Sequence, residues 1–502
     1  MKKLLCATYE GLDAKKVDVE LTLTKGLPSF SIVGSANALH SSGSIERIKS
    51  ALLSNEYKFP PKRITINLAP SDDFKKSGSQ FDLSIALLIA LENTKEDFNN
   101  WFVFGELGLD GSVKENTQLY PLILSLANQK LITKAVVPKE ALAKLSKIPN
   151  IELYGVETLK EAKAMFENLS QALPSVAEAS IDFPSYDIAQ QKYYYMKEYT
   201  EDFIDVKGQE VAKRAALIAA AGFHNILLEG SPGCGKSMIA QRLRYILPPM
   251  TISEILDVAK LDALNMKEPL FAPRRPMLSP HCSSTPASVL GGGNGKIGEV
   301  GLAHNGILFF DEIPHFSSKI LESLREPLQE NRIRIGRINQ RISYPTSFLF
   351  VAAMNPCPCG NLLDEQKECR CNELEIQRYK NRLSEPFLDR IDLNVVMQNV
   401  SSSDKPSLSS KEMHKKVVQA HIFAKERGQE SFNGKMSDAE IEKYCVIDDD
   451  AKAVLEVAIN RFALSFRSIK KLQKVARTIA DLEESEMIQK SHLLEALSYR
   501  RR

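Results

Sequence analysis

Gly230-Ser231-Pro232-Gly233-Cys234-Gly235-Lys236-Ser237 fits G-x-x-x-x-G-K-[ST], the sequence pattern of a phosphate-binding loop. An apolar run over residues 225–229 precedes it and predicts a buried strand, and residues 238–247 predict a helix that ends before Pro248. This order lets backbone N–H groups and a helix N-terminus surround phosphate oxygens. We therefore expect ATP here, with Lys236 on its β- and γ-phosphates and Ser237 on Mg²⁺.

Two further apolar runs end in polar side chains that suit ATP hydrolysis. Residues 307–310 are apolar and precede Asp311 and Glu312. Behind a phosphate loop, Asp311 is expected to hold Mg²⁺ through water and Glu312 to act as general base on the attacking water. Residues 349–354 lead to Asn355, whose amide can orient water against the γ-phosphate; a turn-capping role before Pro356 is the alternative.

Composition and charge limit the class of protein. The chain has 502 residues, which predicts two to four domains, and 43% hydrophobic and 25% charged residues are typical of a soluble globular protein. The net charge is +2, so any nucleic-acid surface must be local. The most apolar stretch, residues 83–91, is too short to span a bilayer, so we expect a cytoplasmic protein without a membrane partner.

The first 165 residues predict an α/β unit that resembles the protease domain of Lon, with the ribosomal-protein-S5-like fold. The resemblance places the nucleophile position at about Gln80 and the catalytic lysine position near Tyr120. Neither residue can supply an activated nucleophile, so we expect no protease activity. An unusual dyad drawn from Ser77, Ser79 and Lys114 stays open as the alternative.

The composition of the chain also predicts its domain boundaries. Residues 166–200 lose hydrophobic periodicity and predict a linker. We expect an ATPase core over 201–400 and a C-terminal helical lid over 401–502.

Five segments together resemble the ComM/YifB family of magnesium-chelatase-like AAA+ ATPases. They are residues 230–237, 304–312, 352–360, 388–392 and 474–482. The resemblance covers nearly the whole chain. It implies a P-loop AAA+ core with a helical lid, assembled as a homo-hexamer, that drives branch migration of recombination intermediates on DNA in natural transformation. A chelatase-like or chaperone-like ATPase that remodels a protein partner is the alternative. The sequence departs from the family pattern at Pro280-His281-Cys282, where a second histidine is usual.

The resemblance also assigns roles to three residues outside the loop. Gln209 is implied to lie against the adenine. Arg390 is implied to be an arginine finger that reaches the γ-phosphate of a neighbouring subunit; a surface pair with an adjacent aspartate is the alternative. Arg467 fits the sensor-2 position that contacts nucleotide from the lid, with Arg477 as one alternative.

Two segments carry the residues expected to contact DNA. Arginine and isoleucine alternate about a glycine over residues 331–343, which predicts a β-hairpin with one basic face formed by Arg332, Arg334, Arg337 and Arg341. Residues 290–301 form a glycine-rich segment, expected to be a flexible loop, that carries Lys296. In AAA+ relatives such loops line the central pore, where repeated cations can bind a phosphate backbone. A solvated edge hairpin is the alternative.

Four of the eight cysteines are clustered in sequence, at Cys357, Cys359, Cys369 and Cys371. In a long chain of this kind, cysteines favour thiols or metal ligands over disulfides. Four thiolates suffice for a tetrahedral structural Zn²⁺ site. Zinc and reduced thiols are both consistent with this spacing.

Overall fold

The computed structural model describes most of the chain. The residues outside the description are 1, 11, 35–37, 58, 71–75, 77, 95–97, 99, 177–181, 198, 293–295, 337–340, 365, 400–404 and 501–502. The chain divides into two compact units, one formed by Met1–Asp182 with Ala259–Phe271 and the other by Phe183–Val258 with Ala272–Arg502. Within the described residues, no helix is long and apolar enough to cross a membrane.

The first unit is a mixed α/β domain. Its strands are β1 Lys2–Glu10, β2 Asp13–Thr24, β3 Ser29–Val33, β4 Arg63–Ala69, β5 Phe102–Val103, β6 Glu106–Leu107, β7 Val113–Lys114, β8 Lys134–Pro138 and β9 Glu152–Val156. Its helices are α1 Ala38–Ser54, α2 Asp82–Ala90, α3 Leu119–Asn128, α4 Leu142–Leu145 and α5 Leu159–Glu167. Seven strands form one sheet in the order β3-β4-β2-β1-β5-β8-β9, in which β1, β2 and β4 pair antiparallel.

Burial follows the sequence patterns of this unit. Alternate residues of β2 are buried, as expected for a strand with one face on the core. Helix α2 is buried along nearly its whole length because it is apolar all round. Gln80 and Tyr120, at the positions where Lon has its nucleophile and lysine, are both buried. Ser79 donates a hydrogen bond to Glu106, and Lys114 is exposed; Ser77 lies outside the described residues.

The second unit combines an α/β region, built on a parallel sheet, with a helical region. Its strands are β10 Ser185–Ile188, β11 Gln191–Tyr194, β12 Ile226–Gly230, β13 Met250–Thr251, β14 Met277–Leu278, β15 Gly291–Gly292, β16 Lys296–Ile297, β17 Ile307–Phe310, β18 Arg332–Gly336, β19 Arg341–Pro345, β20 Leu349–Met354 and β21 Leu393–Met397. Its helices up to residue 388 are α6 Glu210–Gly222, α7 Lys236–Arg242, α8 Ile252–Leu264, α9 Pro286–Leu290, α10 Glu299–Leu302, α11 Ser318–Ser323, α12 Arg325–Glu330, α13 Glu373–Lys380 and α14 Glu385–Leu388.

The central sheet of this unit has the strand order β14-β17-β20-β12-β21, and every pairing in it is parallel. All residues of β17 and β20 are buried, which matches the continuous apolar runs in the sequence. Parallel strands end at a common edge, so the polar residues that follow β12, β17 and β20 are brought together there.

The C-terminal region is helical. It consists of α15 Ser410–Glu426, α16 Asp438–Tyr444, α17 Asp449–Phe462, α18 Phe466–Leu482 and α19 Lys490–Ser498. The side chain of Ser465 accepts from the N–H of Ser468 and caps α18, so Arg467 lies in its first turn. The apolar face of α18 packs into the core that also includes α6 and β12.

Three segments differ in detail from the sequence expectations. The helix after the phosphate loop ends at Arg242 and tightens into a 3-10 turn, Leu243–Tyr245, instead of running to residue 247. Strands β10 and β11 form a hairpin, joined by β13, inside the segment expected to be a linker. The glycine-rich segment contains a short antiparallel pair, β15 with β16, where we expected a flexible loop; residues 293–295 of it are outside the description.

Candidate nucleotide-binding site

The phosphate loop follows β12 and leads directly into α7. Gly233 and Gly235 have φ of 84° and 97°, the left-handed region that glycine adopts without steric cost. Gly230 lies so close to β21 that an added Cβ would be 2.9 Å from the carbonyl oxygen of Met397. Glycine is therefore required at these positions for the loop to turn and to pack on the sheet.

The Lys236 ammonium group is held inside the loop by backbone oxygens. Its Nζ donates to the carbonyl oxygen of Gly230 at 2.6 Å and to that of Ser231 at 3.0 Å. It also lies 3.9 Å from Sγ of Cys234, a thiol whose pKa is raised by burial. Phosphate oxygens would replace these neutral acceptors with charged ones, so the loop fits the phosphates of ATP.

Ser237 and Asp311 are in direct contact beside the phosphate loop. Ser237 Oγ donates to Asp311 Oδ2 at 2.9 Å. The other carboxylate oxygen of Asp311 accepts from the backbone N–H of Glu312 at 3.0 Å. A hydroxyl and a carboxylate at this separation are hard oxygen ligands, which Mg²⁺ prefers.

Glu312 has an exposed side chain and a backbone φ of 49°. A residue other than glycine in this region stores about 1–3 kcal/mol of strain, and such residues concentrate at functional sites. The side chain is therefore free to approach a water molecule while its neighbour Asp311 remains hydrogen-bonded.

Asn355 is the third component of this edge of the sheet. Its Oδ1 accepts from Lys236 Nζ at 3.1 Å, although the two residues are far apart in sequence. Burial raises the pKa of Tyr379 to about 12, and the nearby backbone of Asn355 opposes that rise, which places the Tyr379 hydroxyl beside Asn355. The amide is thus directed at the phosphate loop, as an amide that senses a γ-phosphate must be.

Gln209 also contacts the phosphate loop. It has φ of 57° and immediately precedes α6. Its Nε2 donates to the carbonyl oxygen of Cys234 at 3.1 Å and also to that of Gln398. Pro232, at the tip of the loop, contacts Gly360, where an added Cβ would be 2.6 Å from Pro232 Cδ.

Arg390 and Arg467 are not part of this cluster. Both line a cavity of about 450 Å³, together with lysines 435, 470, 471 and 474 and aspartates 389, 392 and 438. Asn225, which precedes β12, donates from Nδ2 to the Arg390 carbonyl oxygen at 2.8 Å. The phosphate loop follows the opposite end of the same strand, about 16 Å away for five residues at roughly 3.3 Å each. The two arginines therefore face away from the nucleotide loop of their own chain.

The environment of Arg390 differs from a surface ion pair. Burial, followed by the nearby charges of Arg467 and Arg325, lowers the pKa of Arg390. Its guanidinium group donates to Gln329 Oε1 at 2.8 Å and to the Pro386 carbonyl oxygen. Six cations and three carboxylates line the cavity, and Lys470 pairs with Asp438 at 2.6 Å, so part of the positive charge is offset and an excess remains.

Arg477, the alternative to Arg467, is completely buried. It contacts Asp481 with a shortest N–O distance of 2.9 Å and donates to the carbonyl oxygens of Ser485 and Glu486. Asp481 also pairs with Arg427 at 2.7 Å. Arg477 therefore connects parts of the helical region, and its partners all lie within that region.

The predicted arginine hairpin is present as β18 paired antiparallel with β19. Arg332 and Arg334 are exposed, whereas Ile333 faces the core. Arg332 pairs with Glu330 at 2.9 Å, and Arg334 pairs with Glu330 at 2.9 Å and with Glu326 at 3.1 Å. These glutamates offset part of the positive charge that the sequence suggested for the basic face.

The other residues expected to contact DNA are described only in part. Lys296 is exposed at the start of β16. Arg337 lies outside the described residues, and of Arg341 only the backbone is described.

The four clustered cysteines come together in space. Their four Sγ atoms all lie within 4.8 Å of one another, from Cys357, Cys359, Cys369 and Cys371. Three of the Sγ–Sγ separations are 3.4, 3.6 and 3.7 Å. These residues form the cysteine cluster.

Sequence reasoning missed two residues that support the site. Tyr379 contacts Asn355, and Lys380 pairs with Glu229 at 3.0 Å, beside the start of the phosphate loop. Both belong to α13, whose sequence carries no catalytic pattern. Only the long-range packing of this helix reveals the connection.

Comparison with known proteins agrees with this geometry. Family models match three consecutive parts of the chain: subunit ChlI of Mg-chelatase over residues 19–141, magnesium chelatase subunit ChlI over 202–405, and the ChlI C-terminal region over 407–500. Competence protein ComM of Haemophilus influenzae is 36% identical, over 98% of this chain and 95% of its own length.

Two uncharacterized proteins named YifB match over the same extent. The one from Salmonella typhimurium is 36% identical and the one from Escherichia coli is 35% identical, each over 98% of this chain and 95% of its own length. The match covers the nucleotide site, the first unit and the helical region alike. The chain therefore belongs to the ComM/YifB family of magnesium-chelatase-like AAA+ proteins, whose P-loop fold and C-terminal helical domain it shares.

Proposed function

We propose that the protein hydrolyses ATP and couples hydrolysis to translocation along, or remodelling of, branched or single-stranded DNA. The convergence of Lys236, Ser237, Asp311 and Asn355 at one edge of the sheet carries the ATPase part of the proposal. The relative named for competence supports the DNA part, with branch migration in natural transformation as the expected task.

Each residue of the site has a separate role in hydrolysis. Lys236 exchanges its backbone carbonyl partners for the β- and γ-phosphates and neutralises charge that develops as the bond breaks. Ser237 and Asp311 would hold Mg²⁺, which when bound would offset the charge of the phosphates. Glu312 accepts a proton from the attacking water, and Asn355 orients that water against the γ-phosphate.

Arg390 and Arg467 act on the nucleotide of a neighbouring subunit. They share a cavity, lined by more cations than carboxylates, at the opposite edge of the sheet from their own phosphate loop. A ring with head-to-tail interfaces brings such an edge of one subunit to the nucleotide of the next. A homo-hexamer of this kind completes each ATP site with residues from two chains.

The hairpin of β18 and β19 supplies the proposed DNA contact, together with Lys296. Repetition around a ring would present Arg332 and Arg334 several times to one phosphate backbone. Binding requires phosphates to displace Glu326 and Glu330, so affinity is expected to be modest and to fall with salt.

The glutamates that form ion pairs with Arg332 and Arg334 of the hairpin favour one alternative function. A surface of alternating charge also suits a protein partner, so a chelatase-like or chaperone-like ATPase that remodels a protein is the second candidate. The four clustered cysteines fit a structural Zn²⁺ ion under either function, because four thiolates satisfy its tetrahedral preference.

The test is the steady-state ATPase rate with and without single-stranded, duplex and four-way-junction DNA. A rate raised several-fold by DNA and lost in Glu312→Gln supports the motor, and the most effective DNA identifies the substrate. A clear rate that no DNA changes would reject the DNA coupling and favour the protein-remodelling alternative. No ATPase activity at all would reject both.

A further inference from the structure

The cysteine cluster has the dimensions of a single-metal site. In a tetrahedral centre with Zn–S bonds of about 2.3 Å, neighbouring sulfur atoms are roughly 3.8 Å apart. The Sγ separations of 3.4, 3.6 and 3.7 Å are close to that value. They are far longer than the bond of about 2.05 Å in a disulfide. A two-iron cluster would spread the thiolates over two metal atoms, so one Zn²⁺ fits best.

The loop closed by the cysteine cluster begins at the nucleotide site. Cys357 is buried and follows Asn355 by two positions, beyond the end of β20. Within the loop, Gly360 has φ of 82° and packs its backbone against Pro232 of the phosphate loop. Fixing the cysteines therefore fixes both the chain that leaves Asn355 and the surface on which Pro232 rests.

The other end of the loop returns to the same site. Cys371 leads into α13, which is capped by Asn372. From this helix the Tyr379 hydroxyl lies near the backbone of Asn355, and Lys380 pairs with Glu229 of β12 at 3.0 Å. The loop and α13 thus connect Asn355, the phosphate loop and β12 in one closed set of contacts.

We propose that the cysteine cluster binds one Zn²⁺ ion per chain and that this centre positions Asn355 and Pro232 for hydrolysis. The metal contacts neither nucleotide nor water in this role. Its effect on turnover rests on the proposed ATPase activity, whereas zinc binding does not. Loss of zinc largely preserves ATP binding, because the carbonyl oxygens of Gly230 and Ser231 still hold Lys236 and Asp311 still holds Ser237, but it lowers kcat about 10- to 100-fold through misplacement of Asn355.

The metal is tested on full-length protein purified without chelator. Elemental analysis is expected to find one zinc and no iron per chain, and Co²⁺ reconstitution is expected to give the absorption of a tetrahedral thiolate site. Cys369→Ser should lose the metal, Cys371→His should retain it because histidine is also a zinc ligand, and Cys282→Ser, outside the cluster, should match wild type. Wild-type protein without zinc would overturn the proposal.

The positioning role is tested with variants that leave the cysteines unchanged. Gly360→Ala forces a Cβ against Pro232, whereas Gly428→Ala has similar φ, 77°, with no atom within 4 Å of the added Cβ. We expect Gly360→Ala to keep its zinc and its ATP Kd but to lose kcat, while Gly428→Ala changes only stability. Equal kcat in both glycine variants, or full kcat in zinc-free Cys369→Ser, would overturn the positioning role.

Zinc binding and ATP hydrolysis can fail independently of each other. If wild type contains zinc but hydrolyses no ATP, the proposed function is wrong and so is the positioning role, while zinc binding stands. If wild type hydrolyses ATP but contains no zinc, the ATPase stands and the metal centre is wrong. If Cys369→Ser is insoluble, the zinc content of wild type and of Cys371→His tests the metal centre, and the kcat of Gly360→Ala tests the positioning role.

Discussion

At the scale of single residues, Glu312 is the side chain whose proposed role in catalysis can be separated most clearly from nucleotide binding. It is exposed, and its strained backbone follows a buried strand that holds Asp311 in place. Substitution by glutamine preserves shape and hydrogen bonding but removes the ability to accept a proton. Binding and turnover should therefore respond differently.

We predict that Glu312→Gln lowers kcat by about 10²–10⁴-fold and leaves the Kd for ATP nearly unchanged. The measurement pairs a steady-state ATPase assay with equilibrium binding of a fluorescent nucleotide. Glu456→Gln, an exposed glutamate on α17, is the matched control and should behave as wild type. Equal losses in binding and turnover would contradict a role as general base.

Asp82 offers a residue-scale prediction in the first unit. Its side chain is fully buried beside Arg47, with a shortest N–O distance of 2.7 Å. Burial raises the pKa of Asp82 to about 6, even though hydrogen bonding and charge from Arg47 oppose that rise. Because the unfolded pKa is about 3.9, the folded state binds the proton more tightly between these values.

The contribution of Asp82 to stability is therefore present at low pH and is lost as pH rises through 6. We predict that Asp82→Asn removes this component, so that the variant gains stability relative to wild type on going from pH 4 to pH 7. The gain is up to roughly 3 kcal/mol, from about two pKa units at 1.36 kcal/mol each. Urea denaturation at both pH values measures it, and a difference that does not change with pH would contradict the assignment.

At the scale of elements, the hairpin of β18 and β19 is the segment on which the DNA proposal depends. Its isoleucines anchor it to the core while Arg332 and Arg334 stay on the exposed face. The same arginines are paired with glutamates of α12, and Asn331, in a left-handed conformation, follows that helix and starts the hairpin. The strand β18 is thus held on the core by its isoleucines. Its exposed arginines have glutamate partners that a DNA phosphate could replace.

We predict that Arg332→Ala with Arg334→Ala weakens DNA binding and makes it less sensitive to salt. For every phosphate that a chain no longer neutralises, the slope of log K against log salt should fall by about 0.7–0.9. Fluorescence anisotropy over a salt series measures both quantities. Arg461→Ala, an exposed arginine on α17, is the control. Unchanged affinity and slope in the double variant would count against the hairpin as the DNA-binding element.

At the scale of the whole molecule, the residues proposed to act on ATP lie at two opposite edges of the central sheet. The phosphate loop and Glu312 lie at one edge of the sheet, and Arg390 with Arg467 lies near the other. Under the proposed mechanism, one chain alone does not bring all of these residues to a single nucleotide. Hydrolysis should therefore depend on assembly.

We predict that mixing two inactive variants restores activity. Arg390→Ala should lower the rate about 10³-fold or more, as expected for loss of an arginine finger, and Glu312→Gln is inactive for a different reason. In a reassembled equal mixture, about a quarter of head-to-tail interfaces combine an intact Glu312 with an intact Arg390. Recovery of ATPase activity near that fraction supports action between subunits, and no recovery above the separate variants would refute it.

The sequence by itself determined the phosphate loop, the buried strands that end in Asp311, Glu312 and Asn355, and the arginine hairpin. These features depend on local properties: glycine at left-handed positions, runs of apolar residues, and alternation with period two. The same local patterns indicated the family. These local patterns did not reveal the short hairpin of β10 with β11, because it lies in a segment without clear hydrophobic periodicity.

The tertiary structure alone decided which side chains meet. It joined Lys236 to Asn355, turned Arg467 toward Arg390, buried Arg477 on Asp481, and packed the loop of the cysteine cluster on Pro232. It also paired Arg334 with glutamates that a strand pattern does not reveal. The physical reason is that these contacts join residues distant in the chain, so they depend on how whole elements pack rather than on the periodicity of any one segment.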